Sequence, residues 1–259
     1  MPTRTMPTTK LSSDQLLELF ELVRESDSIE LKLTLPEHSY RSAAAALGVD
    51  PLEAQIRQVF FFDTPGLDLN AAGVVARARR VQGREHDSVV KLRPVVPSEL
   101  PADLRASNDF VVEVDALPGG YVCSASMKGR LRTDAVHASI NGDQPLRKLF
   151  SKAQRAFFAE HAPEGLEIDD LSVLGPIFVL KAKLAPPELG RRLVAEMWLY
   201  PDGSGIVELS TKCLPGEGFD VAISLRELLE SKGIPTDGDQ QTKTKTALEF
   251  FADELRQPD

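Results

Sequence analysis

Cysteine is scarce in this chain. Cys123 and Cys213 are the only two in 259 residues, they lie in different segments, and neither has a second Cys or a His at zinc-like spacing. Two isolated thiols in a chain of this size suit a reducing cytosol, so a cytoplasmic location is expected. The four histidines, His38, His86, His137 and His161, contain no i, i+4 pair of the kind that binds zinc on a helix. No apolar run approaches the ~20 residues needed to span a bilayer, and no membrane role is expected. A G-x-S-x-G elbow, a glycine-rich dinucleotide fingerprint and a G-x-x-x-x-G-K-[ST] loop are all missing, which leaves esterase, dinucleotide and P-loop chemistry without support. Positive charge is also short. Thirty Lys and Arg against 39 Asp and Glu give a net charge of −9, which argues against general nucleic-acid binding.

What the chain has instead is alternation. Ser28-Ile29-Glu30-Leu31-Lys32-Leu33-Thr34 exchanges polar and apolar residues at every step. The same period returns at Arg77-x-Arg79, Lys91-x-Arg93, Glu113-x-Asp115, Lys181-x-Lys183 and Glu208-x-Ser210-x-Lys212. Successive side chains of a strand point to opposite faces, so each charged pair lands on one face. Many such strands suggest a barrel with a charged interior inside an acidic exterior.

The 42% hydrophobic content is ample for a core. Residues 1–12, polar and without the apolar centre of a signal peptide, are expected to form a disordered leader, and 13–259 a single domain. Ser12 or Ser13 can cap a first helix with Leu16, Phe20 and Val23 on one face. Ser39 can cap a short Ala-rich helix closed by Gly48. Strands are expected near 28–35, 58–63, 73–81, 87–94, 109–116, 134–140, 177–184, 194–200 and 206–212, while 121–127 is ambiguous. Residues 145–161 carry a helical stripe and 162–175 read as a loop or short helix, together a helical insertion at about 145–175. Pro201-Asp202-Gly203-Ser204-Gly205 signals a hairpin. With Tyr200 paired to Ile206, Glu196 would face Ser210. Helices near 219–232 and 243–255 close the chain. The order defines an α+β fold with an antiparallel sheet.

Glu30, Glu113, Asp115 and Glu208 sit mid-strand. Mg2+ and Mn2+ are hard ions that seek such carboxylates together with substrate phosphates. Lys32, Arg77, Arg79, Lys91, Arg93, Lys181, Lys183 and Lys212 follow the same period and could grip phosphate oxygens. Lys243 and Lys245, opening the last helix, could reach a phosphate or stand in solvent. Taken singly, each strand fits an ordinary wet sheet face with cross-strand salt bridges. Taken together they fit one inner barrel wall, because a closed barrel has only one.

These residues resemble the CYTH superfamily, the triphosphate tunnel metalloenzymes. The resemblance rests on Ser28-x-Glu30-x-Lys32 for an E-x-E-x-K strand, Phe61 to Leu69, Gly73 with Arg77 and Arg79, Lys91, Glu113 with Asp115, Glu208-x-Ser210, and Thr242 to Thr246. It runs in order from about residue 28 to 250. It implies a closed antiparallel eight-stranded tunnel with helices packed outside, a small triphosphate-containing substrate or polyphosphate, and Mg2+ or Mn2+. By the resemblance Glu30, Glu113, Asp115 and Glu208 hold metal, and Lys32, Arg77, Arg79, Lys91, Lys181, Lys183 and Lys212 hold phosphates. Lys91 matches a lysine that activates or orients the attacking water, so Lys91 and Glu30 are the expected catalytic pair. Ser28 and Ser210 stand where the family pattern has carboxylates. Hydrolysis of inorganic triphosphate is the expected activity. A triphosphate- or polyphosphate-binding module without catalysis and a class IV-type adenylate cyclase are the alternatives, in a monomer or homodimer.

Overall fold

The computed structural model describes residues 12–236, 240 and 243–256, so most of the expected leader lies outside the described residues. Nine strands close into a barrel: β1 (Ser28–Thr34), β2 (Gln55–Asp63), β3 (Val74–Val81), β4 (His86–Leu92), β5 (Phe110–Leu117), β6 (Gly120–Leu131), β7 (Ser172–Leu184), β8 (Leu193–Leu199) and β9 (Gly205–Cys213). Around the barrel the order is β1-β5-β6-β4-β3-β2-β7-β8-β9.

The count is nine, where eight were expected, and one pairing is parallel: β1 runs alongside β5, with Glu30 opposite Asp115. No hairpin joins these two strands, so nothing local imposes the antiparallel sense. The ambiguous stretch at 121–127 is part of β6. Its Cys123, Ala125 and Met127 face outward into the core, and its Ser126 and Lys128 face inward. The strand expected at 134–140 is a helix, Ala135–Ile140, whose buried residues Val136 and Ser139 lie three apart. Strand β7 begins at Ser172, inside the expected loop.

The barrel is inside out relative to a globular core. Outward side chains such as Phe60, Phe62, Ala76, Ala78, Val112 and Val114 pack under the helix Lys152–His161 through Phe157 and Phe158. Leu33 and Leu209 pack under the helix Gly218–Ser231 through Leu225 and Leu228. Apolar side chains therefore cover the outside of the sheet, and the inner wall is free to be polar. At one end the inner wall turns apolar. Val59, Phe61, Val75, Ile177, Val179 and Trp198 meet Ala247, Leu248 and Phe251 of the last helix, Lys243–Arg256, which seals that end. The first helix, Ser13–Glu25, is capped by Ser12, whose hydroxyl accepts from the Gln15 amide at 3.2 Å. No helix among the described residues is long and apolar enough to cross a membrane.

Candidate active site

The barrel encloses a cavity of about 360 Å3. Among the described residues, ten Lys and Arg and five Asp and Glu line it, an excess of five positive charges inside a chain of net charge −9. The two signs are segregated. All five lining carboxylates come from four contiguous strands: Glu196 on β8, Glu208 on β9, Glu30 on β1, and Glu113 and Asp115 on β5. The remaining strands contribute Lys128, Lys91, Arg77, Arg79, Arg57 and Lys181, and Arg93 follows β4.

Lysines are threaded through the acidic half. Lys32 Nζ lies 2.9 Å from Asp115 Oδ1 and 3.3 Å from Glu30 Oε2. Lys91 Nζ lies 3.3 Å from Asp115 Oδ2. Lys212 pairs with Glu113 and stands 3.9 Å from Glu30. Burial pushes the Asp115 carboxyl up, but Lys32 and Lys91 overcome it and hold the group at about 2. The same contest, with Lys32 and Lys212 as the cations, leaves Glu30 below the ordinary carboxylate value. Oxygens of Glu30, Glu113 and Asp115 converge within 4.8 Å of one another. That is a hard-oxygen donor set of the kind that Mg2+ and Mn2+ select. Glu208 is not in this group; its Oε1 pairs with Lys243 Nζ at 2.7 Å.

The basic half is short of counter-charge. Arg79 donates to Asp87 at 2.8 Å, but the buried Nε of Arg77 finds no hydrogen-bond partner. Burial, and then repulsion from Arg79, bring the Arg77 guanidinium down to about 10. Lys91 is also held below the usual lysine value, by burial first, with Asp115 opposing. Arg77 is desolvated without a hydrogen-bond partner at its Nε, and Lys91 shares Asp115 with Lys32, so a multivalent anion would supply the counter-charge they lack.

All thirteen sequence-predicted site residues except Lys183 line this cavity. Lys183 is exposed at the outer end of β7. Lys245 is exposed as well and pairs with Glu249. Three charged residues join the site from outside the expected set, Lys128 of β6 together with Arg57 and Glu196. Arg57 lies in β2, which starts at Gln55, three residues before the aromatic run that signals the strand, so the alternation through Arg57, Val59 and Phe61 is easy to miss. Glu196 faces Glu208, not Ser210, because the hairpin closes at Leu199 opposite Gly205 around a Tyr200–Ser204 loop. The register differs from the expected one by two residues, which preserves the face. Glu196 therefore points inward, where Lys181 at 2.8 Å and Lys243 at 2.6 Å hold it. Ser28, lacking a carboxylate, donates its hydroxyl to Glu113 Oε2 at 3.1 Å. Ser210 is buried opposite Lys32 and Val194.

Glu196 is the clearest structural carboxylate. Burial raises its pKa, and Lys243 and Lys181 more than reverse this, leaving the group well below its ordinary value of 4.5. A lowered folded pKa means that its stabilisation is complete above pH 4.5 and is lost as pH falls further. Glu196→Gln should lower stability at pH 7 by about 3 kcal/mol, since it leaves the Lys181 ammonium without a carboxylate and takes from Lys243 one of its two. It should also flatten the fall of melting temperature below pH 4.5. An unchanged acid profile in thermal unfolding would remove Glu196 from this role.

The fold and site together define a closed β-tunnel with a polarised, net-cationic interior, as the resemblance to the CYTH superfamily implies. Neither a family model nor a curated protein matches the chain. Solved structures do. One is a Hippeastrum protein proposed as an adenylyl cyclase and found to have a dominant triphosphatase activity. It has TM-score 0.65 and 18% identity, over 86% of this chain and 96% of that one. Another, from Bacillus halodurans and proposed as an adenylate cyclase, has TM-score 0.59 and 13% identity over 85% and 97%.

Proposed function

We propose that this protein hydrolyses a linear triphosphate, most simply inorganic triphosphate, inside the tunnel. The division of the inner wall into a carboxylate half and a cationic half carries this reading. A triphosphate has roughly four to five negative charges near neutral pH, with terminal ionisations near pH 6, and the lining has a surplus of five positive charges. The triphosphatase activity described for the Hippeastrum relative supports the same reaction class.

Arg77, Arg79, Arg57, Lys181 and Lys32 would grip the phosphate chain, the arginines through planar forks and the lysines as point charges. Their burial strengthens each contact, because little water competes. Glu30, Glu113 and Asp115 would hold Mg2+ or Mn2+, which supplies charge neutralisation at the phosphate oxygens. Lys91, whose Nζ stands beside Asp115, would orient a water in line with the terminal phosphorus. A bond forms from the water oxygen to that phosphorus, the bridging P–O bond breaks, and orthophosphate and pyrophosphate leave. Little of the barrier rests on removing the water proton, because the transition state of phosphoryl transfer is loose.

The test is a substrate panel with purified full-length protein: inorganic triphosphate, thiamine triphosphate, ATP and long polyphosphate, each with Mg2+ and with Mn2+. Equal release of orthophosphate and pyrophosphate from triphosphate is expected. Cyclic AMP and pyrophosphate from ATP would replace hydrolysis with cyclase chemistry. Calorimetric binding without product would leave a binding module.

A further inference from the structure

The tunnel has unlike ends. At the end closed by the last helix, the Lys243 side chain is only 14% exposed, whereas at the opposite end Lys212 is 54% exposed. This open mouth is built from the first residues of β2, β4 and β8 and the last of β3, β6, β7 and β9. Its cations continue beyond the cavity. Lys183 lies two residues past Lys181 on the same face of β7, about 6–7 Å further out. Arg192 immediately precedes β8, whose Val194 is opposite Lys183. Arg84 stands in the β3–β4 hairpin and, with Arg130 and Arg132, lines a recess on the rim.

None of Lys183, Arg84, Arg192 and Arg132 has an ion pair among those found for the described residues. The acids nearby are few. Glu85 and Asp134 share the recess, Glu85 pairs with Arg130 at 3.5 Å, and Asp87 is taken by Arg79. Lys183 is held below the ordinary lysine value by slight desolvation first and then by repulsion from Arg84, Arg192 and Arg57, so Lys183, Arg84 and Arg192 share one field with Arg57 of the cavity wall.

We propose that Lys183, Arg84 and Arg192 form an outer anion subsite that holds the further phosphates of a linear inorganic polyphosphate whose end occupies the tunnel. The proposal rests on the triphosphate reading of the interior. The ligand at this rim is phosphate and not a heterocycle, because among the described residues the only aromatic one lining the cavity, Trp198, sits at the closed end beneath Lys243. A base or other ring emerging from the open mouth meets guanidinium and ammonium groups and no aromatic stacking platform.

Trp198 is the only tryptophan, so its fluorescence reports occupancy of the tunnel directly. Titrations of full-length protein with tripolyphosphate and with long-chain polyphosphate should show tighter binding of the long chain. The double variant Arg84→Ser, Arg192→Ser changes two exposed residues outside the cavity. It should weaken long-chain binding about tenfold or more and lower its salt slope, since fewer counterions are displaced. Tripolyphosphate binding should fall several-fold less than long-chain binding, because neither Arg84 nor Arg192 lines the cavity and each acts on it only through the field shared with Arg57. Equal wild-type affinity for both lengths, or an equal loss for both in the variant, overturns the outer subsite and leaves the tunnel reading intact. Failure of tripolyphosphate itself to bind overturns both. Tighter binding of a 5′-triphosphorylated RNA, lost in the same variant, would overturn polyphosphate in favour of a nucleic-acid end.

Discussion

Glu30→Gln is expected to cut phosphate release from triphosphate by roughly 100- to 1000-fold, the several kcal/mol that charge neutralisation by a bound metal contributes. Folding should survive. Lys32 keeps Asp115 at 2.9 Å and Lys212 keeps Glu113, so neither ammonium is left without a carboxylate. The loss of stability should stay near 1 kcal/mol. Binding of triphosphate without metal should not weaken, because removing a carboxylate makes the tunnel more cationic. Loss of turnover with retained binding is the signature that separates a metal ligand from a substrate grip. Turnover equal to wild type, in protein shown to be folded, would take Glu30 out of the catalytic pair.

Arg77→Met should move stability and binding in opposite directions. The Arg77 Nε is buried without a partner, and burial brings the guanidinium down to about 10. A folded pKa below the ordinary value of a base means that the charged form is disfavoured by the fold. An apolar side chain of similar length relieves that penalty, so the free protein should gain about 1–3 kcal/mol. Triphosphate affinity should fall by about 30-fold or more, because a buried charged contact of this kind is worth about 2–5 kcal/mol to binding. Arg79→Met is the control. Arg79 already has Asp87 at 2.8 Å, so the free protein should gain nothing. Melting temperatures with and without tripolyphosphate measure both quantities. Arg77→Met protein that is less stable and binds as well as wild type would mean that Arg77 is a structural residue.

Both predictions express one tension in the tunnel wall. The cations are held where burial disfavours them, and their partner in the free protein is incomplete. Local strain of this kind persists because the apolar layers outside the sheet, from Phe60 and Phe62 on one side to Leu33 and Leu209 on another, stabilise the barrel regardless of what its interior holds.

Much of the wall was legible in the chain itself. Alternation is a local property of extended backbone, so Glu30 with Lys32, Arg77 with Arg79, and Glu113 with Asp115 could be assigned to shared faces before any strand had a neighbour. The same rule failed where the strand signal began late, as at Arg57. It faltered at β6, where small residues such as Ser124, Ala125 and Ser126 blur the pattern, and at Ala135–Ile140, where a short apolar stretch fits either period. Glu196 shows the limit well. Parity placed it inside, and only the hairpin register showed that it faces Glu208.

What the sequence determined by itself is the composition of one inner face and the likeness of that face to a triphosphate tunnel. What only the tertiary structure decided is who meets whom across it. The parallel pairing of β1 with β5 brings Glu30, Glu113 and Asp115 together, the last helix closes one end with Lys243, and Lys183 falls outside on the open rim. Those outcomes depend on contacts between segments far apart in the chain, such as Lys32 with Asp115 and Glu196 with Lys243. Period two sets which way a side chain points, whereas barrel closure and register set what it points at.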